Sequence, residues 1–455
     1  MSFIKNKIWL LALGAVMFSS CKKFLDADQP LQVDEDQVFS TEKGFTEVLN
    51  GAYLQMGTSA LYGRELNFGL ISVLGRSYDT TINPTIGKLY YEAARYNFND
   101  PAVKQAIGTI WDSSYQCIAN INYLLEQAEK RKAIFTGDNY NALRAEALAL
   151  RAFLQFDLLR MFGPADAKNN LSTIALPYLT KLSPYAVADI STGSYLDACI
   201  NDLKEAETLY TSPTKRPGHI DYWGVKALLS RVYLYKGDNT KANDYATAII
   251  NGGAFPLSKT NTDLLFTSEH VFSLLVYVNT LRSYARAVFN TPAPLGLLPV
   301  SQNALYISGS GNTNDWRKSL AFLDPATGSA SNLSNPNAVV MPRKYNIGSN
   351  NAMPMVRATE MYYIAAECAV ENNDATTATT LLNQVRAARN VPSYGLTALP
   401  SDSIVVEIRK EYMKEMLGEA QAFYYFKRKN LPIESLPFTK IPVVAGATYV
   451  FPRPE

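Results

Sequence analysis

The feature that most constrains the fold is a pattern of paired amphipathic segments that occurs twice in the chain. Residues 220–253 carry apolar side chains at steps of three and four, interrupted by a short turn at Gly237. The same layout recurs over residues 356–390, with Asn373 in the turn. Because so short a turn places consecutive helices side by side, each stretch predicts a pair of antiparallel helices. The chain should therefore be mainly α-helical.

Small residues stand where the two helices of each pair would cross. They are Ala227, Ala242 and Ala246 in the first pair and Ala378 in the second. Two helices approach closely only where the side chains between them are small. This layout resembles a tetratricopeptide repeat, which implies a helical-repeat scaffold.

Helical spacing extends over most of the remaining chain. We expect repeat helices at roughly 41–56, 103–163, 192–252 and 355–430. Ser40 or Thr41 can cap the first of these, and Ser191 or Thr192 can begin the third. Within the second, apolar residues cover two faces between Leu143 and Met161, which predicts a helix that is buried on both sides.

Two stretches lack helical spacing, residues 57–100 and 257–350, and we interpret them as loop-rich binding regions. The second contains one strand pattern, FSLLVYV at 272–278. The 435 residues that follow the first twenty exceed the usual size of a single-core domain. They form either two domains or one elongated repeat core, and the repeats favour a single domain over 41–455.

The N-terminus has the features of an export signal over residues 1–20. Lys5 and Lys7 precede an apolar run at residues 8–18, which is too short to span a bilayer. No other stretch is longer, so we expect no transmembrane helix. Ser19, Ser20 and Cys21 match the end of a bacterial lipoprotein signal, which makes Cys21 a lipidation site and residues 21–40 a lipid-anchored segment. The alternative is an ordinary signal followed by an unrelated cysteine.

Charge and cysteine content exclude several classes of function. The whole chain has 43 basic and 41 acidic residues, and removal of the signal would remove two lysines and no acids. The numbers of basic and acidic residues are then equal, so the chain lacks the basic footprint of a nucleic-acid binder. The other cysteines, Cys117, Cys199 and Cys368, allow at most one disulfide and are expected to be buried packing residues. No Cys or His spacing predicts zinc, and no cofactor is expected.

Catalytic motifs are absent from the sequence. His219 and His270 are the two histidines, and neither lies in an HExxH pattern. There is no GxSxG elbow, phosphate-binding loop or dinucleotide fingerprint. We therefore predict that the protein is not an enzyme, although two distant carboxylates that cleave glycosides would leave no motif.

Binding is favoured by the tyrosine content, which is 28 Tyr against four Trp. Exposed aromatic rings surrounded by polar groups suit the apolar faces of sugars. The predicted ligand-binding residues are Tyr62, Arg76, Tyr78, Tyr306 and Trp316, with Asp79 and Asn314 as further polar partners. The alternative is that each aromatic residue packs its own loop. The basic end FYYFKRKN, 423–430, is better explained by cations near a helix C-terminus than by a binding patch.

Four segments resemble the SusD/RagB family of nutrient-binding lipoproteins from the Bacteroidetes outer membrane. They are CKKFLD at 21–26, STEKGFTEVLNGAY at 40–53, RAEALALRAFLQFDLLRMFGP at 144–164, and EMLGEAQAFYYFKRKN at 415–430. The last departs from the family's GEGQ form at Ala420, where glycine is expected.

The resemblance implies a repeat scaffold with a loop-built face that binds an oligosaccharide or a peptide. It also implies a partner, a SusC-like TonB-dependent transporter over which the protein sits as a lid. Cys21 matches the acylated cysteine of the family, which implies an outer-membrane protein that is lipid-anchored and faces the cell exterior. The rival interpretation is a repeat protein that only holds other proteins together.

Overall fold

Helices build most of the chain in a computed structural model. It describes residues 35–79, 82–183, 185–289, 291, 294–306, 314–320, 339, 341–344, 351–394, 399–438 and 441–454. The predicted export signal, Cys21 and residues 22–34 lie outside the described residues.

The helices and strands have the following bounds. The helices are α1 (Glu35–Val38), α2 (Glu42–Met56), α3 (Leu70–Leu74), α4 (Lys88–Ala94), α5 (Pro101–Lys130), α6 (Asn139–Phe162), α7 (Thr192–Leu209), α8 (Tyr222–Lys236), α9 (Asn239–Asn251), α10 (Val278–Phe289), α11 (Pro299–Tyr306), α12 (Arg317–Leu320), α13 (Ala358–Glu371), α14 (Ala375–Ala388), α15 (Ser401–Glu415) and α16 (Gln421–Arg428). The strands are β1 (His270–Leu275) and β2 (Ala352–Arg357).

The two predicted helix pairs are confirmed as α8–α9 and α13–α14. Ala227, Ala242 and Ala246 are fully buried at the crossing of the first pair, where the Ser230 hydroxyl donates to the Ala242 carbonyl at 2.8 Å. Gly237 ends α8 at a φ of +88°, which glycine adopts without strain. Small residues thus permit the close approach that the sequence predicts.

The helix pairs continue one another in a single array. Helix α5 packs on α6, α6 on α7, α7 on α8, α9 on α13, and α13 on α14. Every residue of α6 from Ala145 to Phe162 is buried, which confirms the predicted cover on both sides. Buried apolar residues from Phe39 to Phe451 form one contiguous core cluster.

Side-chain caps set where several helices begin. The Thr41 hydroxyl accepts the Gly44 amide at 3.2 Å at the start of α2. The Ser191 hydroxyl accepts the Ser194 amide at 3.2 Å at the start of α7. The structure therefore selects Thr41 and Ser191 from the alternatives that the sequence left open.

Much of the stretch 57–100, predicted to be a loop-rich binding region, is helical or buried, while residues 84–86 are exposed. The stretch contains α3 and α4, and every residue from 65 to 79 is buried. Polar groups here bond internally, as where the Tyr96 hydroxyl donates to the Leu74 carbonyl at 2.6 Å. Leu61, Leu66 and Phe68 supply enough apolar surface to fold the segment into the core.

Residues 257–350 are only partly irregular. The predicted strand is confirmed as β1, which pairs antiparallel with β2, and Leu275 lies opposite Ala352. Helices α10, α11 and α12 were not predicted. Much of the polar sequence between residues 307 and 350 lies outside the described residues.

The stretch predicted to be helical up to residue 430 is interrupted near its end. Helix α15 ends at Glu415 and α16 begins at Gln421, and between them Gly418 and Ala420 have φ values of +70° and +64°. A left-handed backbone at Ala420 explains why glycine suits this position of the motif.

Two further expectations concern the cysteines and membrane-spanning helices. Cys117, Cys199 and Cys368 are buried and free, as predicted for packing residues. Within the described ranges no helix combines the length and the apolar character needed to cross a bilayer.

Candidate functional site

The three tyrosines predicted to bind ligand are buried. Tyr62 is 3% exposed, and its hydroxyl donates to the Asp157 carboxylate at 2.9 Å. The Tyr78 hydroxyl donates to the Phe68 carbonyl at 2.7 Å, and the Tyr306 hydroxyl to the Lys414 carbonyl at 3.1 Å. The prediction that loops expose these rings is wrong, because each hydroxyl bonds inside the core and each ring is covered.

The polar partners predicted for these tyrosines are buried as well. Arg76 donates to the Ala94 carbonyl at 2.7 Å, and its guanidinium lies 5.3 Å from the centre of the Tyr96 ring. The Asp79 carboxylate accepts the Leu298 amide at 2.7 Å. Both side chains connect loops to the core, so neither is presented at a surface.

Trp316 is the exception, since it is only partly buried. Its indole N–H donates to the Ala388 carbonyl at 2.9 Å, and its ring lies 5.6 Å from the ring of Phe266. The main-chain carbonyl of neighbouring Asn314 accepts from the Asn390 amide group at 3.2 Å. The five predicted residues thus do not share one exposed surface, and ligand contact by Trp316 stays a prediction.

A buried network of charges lies beneath Trp316. Arg389, 5.3 Å from the Trp316 ring, donates to the Glu415 carboxylate at 2.7 Å, as does Arg357. Burial opposes ionisation of Glu415, but Arg389, Arg357 and Arg317 together hold its pKa well below the usual value. Paired in this way, the network joins α12, β2 and α15 to the residue that follows α14, and it has a structural role.

A second buried carboxylate organises a surface segment that we call the strap, residues 210–221, between α7 and α8. Glu146 of α6 is 1% exposed. Its oxygens accept from the Tyr53 hydroxyl at 2.5 Å, from Arg216 at 2.6 Å, and lie 2.7 Å from Nδ1 of His219. Burial and the Glu146 charge raise the pKa of Tyr53 well above its usual value, so the phenol is a neutral donor.

Further hydrogen bonds hold the strap at its end. The Tyr53 hydroxyl accepts the Ile220 amide at 2.9 Å, and the Tyr210 hydroxyl donates to the Ile220 carbonyl at 2.8 Å. The Asp221 carboxylate caps α8 and also accepts the Arg216 amide at 2.8 Å. The strap is therefore fixed by side chains from α2, α6 and itself, and its surface is preorganised.

A cleft of about 430 Å³ lies between α2, α6 and the strap, and we call it the Glu42 cleft. Phe135, Leu143 and Tyr210 provide apolar wall. The polar lining residues are Glu42, Thr46, Asn50, Asp138, Asn139, Glu146, Thr211, Ser212, Thr214, Arg216 and His219. A concave site of this size with convergent polar groups is typical of small-molecule binding.

A smaller cleft of about 270 Å³, the Lys215 cleft, shares Arg216 and His219 with the first. The two clefts therefore adjoin at these side chains. His270 also lines it, with Nε2 2.8 Å from the Leu265 carbonyl. Since a carbonyl only accepts, Nε2 carries the proton, and burial lowers the pKa of His270, which leaves Nδ1 as an acceptor.

An exposed aromatic ring lies close to the strap. Leu275 packs on Gly218, where an added Cβ would come within 2.6 Å of its side chain and where φ is +82°. Tyr277, two residues further on, is 69% exposed. Tyr277 therefore follows closely in the chain the residue that packs on the strap.

Sequence reasoning missed most of this site. The sequence showed only that His219 and His270 lie outside any catalytic motif, and it did not mark Glu146, Arg216, Lys215 or Tyr277 as functional. Tyr277 was read as part of a strand pattern, and no local signal marks it as exposed. Tyr53, Glu146 and His219 come from distant segments, so their meeting has no local sequence signature.

Comparison with known proteins identifies related families. Residues 299–435 match the model of the SusD family, and residues 23–234 match a family described as starch-binding and associating with the outer membrane. SusD-like protein P2 of Formosa agariphila is 25% identical over 230 residues. That match covers 48% of this chain and 41% of the relative, less than half of its length.

Solved structures share the fold. A SusD-like carbohydrate binding protein of Bacteroides vulgatus superimposes with a TM-score of 0.70 at 19% identity, covering 86% of this chain and 83% of that one. A SusD superfamily protein of Bacteroides thetaiotaomicron gives a TM-score of 0.66 at 22% identity, covering 86% and 89%. At such identities the similarity shows a common fold.

Proposed function

Because the chain belongs to the SusD/RagB family, we propose that it is a nutrient-binding lipoprotein that captures an oligosaccharide and delivers it to a SusC-like TonB-dependent transporter. The observation that carries this proposal is the fold shared over 86% of the chain with a protein named as carbohydrate-binding. A binding role without catalysis belongs to the same proposal.

The clefts beside the strap suit a glycan chemically. Sugars present many hydroxyl groups, which both donate and accept, and the Glu42 cleft offers amide, hydroxyl, carboxylate and guanidinium groups. Tyr277 provides an exposed ring on which an apolar sugar face can stack. Because Glu146 fixes the strap beforehand, little conformational entropy is lost when a ligand binds.

Trp316 is the predicted ligand residue that we retain, as a second contact point away from the clefts. Its partial exposure allows one edge of the indole to meet a ligand, whereas the buried Tyr62, Arg76, Tyr78 and Tyr306 support the scaffold.

Isothermal titration of the purified full chain in detergent against a panel of oligosaccharides and peptides tests the capture step. We expect heat from at least one glycan class, and about tenfold weaker binding for Tyr277→Ala, which loses a stacking ring. Tyr185→Ala removes another exposed tyrosine outside the clefts and should bind normally. The absence of binding heat for every glycan would contradict the proposal, and binding heat for peptides alone would favour a peptide as the ligand.

The anchor and the partner require separate tests. We propose that Cys21, which follows Ser19 and Ser20 as in a lipoprotein signal, is acylated and holds the protein at the outer membrane, facing the cell exterior. Several acyl chains on this residue would hold the protein far more firmly than one. Radiolabelled palmitate should enter the wild-type protein and not Cys21→Ala. Co-purification with a TonB-dependent transporter should persist in Tyr277→Ala if delivery and capture use different surfaces.

A further inference from the structure

The Lys215 cleft contains more hydrogen-bond donors than the protein itself uses. Lys215 donates one N–H to the Ala254 carbonyl at 2.6 Å and lies 4.2 Å from the centre of the Phe255 ring. An ammonium group has three donors, so two are left for another acceptor. The side chain is exposed, and the protein uses one of its three donors.

Arg216 and His219 contribute further unused groups. One Nη of Arg216 bonds to Glu146, while its Nε and other Nη have no hydrogen-bond partner in the described part of the chain. The Arg216 side chain is 41% exposed. His219 donates its Nδ1–H to the Glu146 carboxylate, so Nε2 of the neutral ring is an acceptor and the donors of the cleft come from Lys215 and Arg216.

The negative charge that lines this cleft is already engaged. Asp221 is the one carboxylate among the described residues that line it, and it is buried. Its oxygens accept the amides of Trp223 at 2.9 Å, Gly224 at 3.0 Å and Arg216 at 2.8 Å. Lys215 and Arg216 therefore have free donors at the cleft, whereas the Asp221 carboxylate is already hydrogen-bonded to backbone amides.

We propose that the Lys215 cleft is a subsite for an oxyanion substituent, a carboxylate or a sulfate ester, on the captured glycan. This inference rests on the proposed function and specifies its substrate class. A charge-assisted bond to Lys215 or Arg216 is roughly twice as strong as a neutral one, which gives selectivity for acidic over neutral sugars.

The adjoining Glu42 cleft sets the orientation of such a glycan. It is lined by Glu42, Asp138 and Glu146 and would repel an anion. At about 270 Å³ the Lys215 cleft is slightly smaller than common small-molecule sites, which suits one sugar unit of a longer chain. The acidic unit should thus occupy the Lys215 cleft and a neutral unit the Glu42 cleft.

Matched pairs of oligosaccharides test the subsite by calorimetry at low salt. The pairs are galacturonan fragments with their methyl esters, and sulfated galactan fragments with their desulfated forms. We expect the full chain to bind one acidic form about tenfold more tightly than its neutral form, and Lys215→Gln to lose that preference. Lys104→Gln, at an exposed position on α5, is the control and should keep it. The pair that shows the preference distinguishes carboxylate from sulfate.

Inorganic sulfate provides a probe that needs no glycan. At constant ionic strength, replacing chloride with sulfate should raise the melting temperature more for the wild type and Lys104→Gln than for Lys215→Gln. Neutral glycans that bind as well as acidic ones would overturn the subsite and leave capture intact. A Lys215-dependent sulfate effect with no glycan binding would overturn the capture proposal and retain an oxyanion site. Loss of both signals would overturn both.

Discussion

Oε1 of Glu146 lies 2.7 Å from Nδ1 of His219, although 73 residues separate them in the chain. This contact, together with the bonds from Tyr53 and Arg216 to the same carboxylate, fixes the strap against α2 and α6. The surface proposed to bind glycans therefore depends on one buried acid.

Glu146→Gln should loosen the strap and destabilise the protein. The amide removes the charge that Arg216 neutralises and cannot accept from all three partners, so the free energy of unfolding should fall by about 3 kcal/mol. Urea denaturation measures the loss, and hydrogen exchange should show faster exchange in residues 210–221. Glu47→Gln, exposed on α2, should change stability by less than about 0.5 kcal/mol. Unchanged exchange in the strap would show that Glu146 does not anchor it.

Ala420→Gly should be tolerated, whereas the same replacement at the nearby Ala422 should not. The left-handed backbone at Ala420 suits glycine, so the relief of strain offsets the lost methyl group and the change should stay within about 0.5 kcal/mol. Ala422→Gly, inside α16, lacks that relief and should cost about 1 kcal/mol. Chemical denaturation of both variants compares them. An equal loss in the two proteins would contradict the conformation at Ala420.

Thr41→Ala should shorten α2 at its start and cost about 1 kcal/mol, because the Gly44 amide loses its acceptor. Thermal unfolding measures this cost. Ser40→Ala, one residue earlier, removes a hydroxyl that does not cap the helix and should have a smaller effect. A larger effect at Ser40 would assign the cap to the other candidate.

Acid should destabilise the charge network beneath Trp316. Burial opposes ionisation of Glu411, yet Arg317 and Lys414 lower its pKa to about 2 from an ordinary 4.5. A folded-state pKa below the unfolded value means that this stabilisation is complete above about pH 5 and is lost as the pH falls toward 2. Urea midpoints at pH 7, 4 and 3 should decline steeply for the wild type.

The variant Glu411→Gln identifies the source of this slope. It should be less stable than the wild type at pH 7, and its midpoint should fall less between pH 5 and pH 3. Glu47→Gln serves as a control for the loss of one carboxylate at an exposed position. If the urea midpoint of Glu411→Gln falls with decreasing pH as steeply as that of the wild type, the acid sensitivity comes from other groups.

Local signals account for what could be predicted of the fold. The apolar spacing of α6, the caps at Thr41 and Ser191 and the small residues at Ala242 and Ala246 all act within a few turns of helix. Such features depend on neighbours in the chain, so the sequence alone reveals them. The strand β1 was likewise predicted from its own residues, while its partner β2 was not.

The site could not be predicted in the same way, because its contacts are long-range. Tyr62 has the loop context of a ligand residue, but its hydroxyl meets Asp157, which lies 95 residues later in the chain. The same distance hides the strap, where Tyr53 and Ile220 bond across 167 residues. Whether such side chains are buried or exposed depends on how distant segments pack, and the spacing of apolar residues along the sequence does not show this.

The most direct test of glycan capture at the strap is hydrogen exchange with and without the glycan that binds most tightly in the titrations. We predict slower exchange in residues 210–221 and around Tyr277 when the glycan is bound, with smaller changes in the repeat helix α13. Protection confined to other parts of the chain, with the strap unchanged at saturating glycan, would contradict the account.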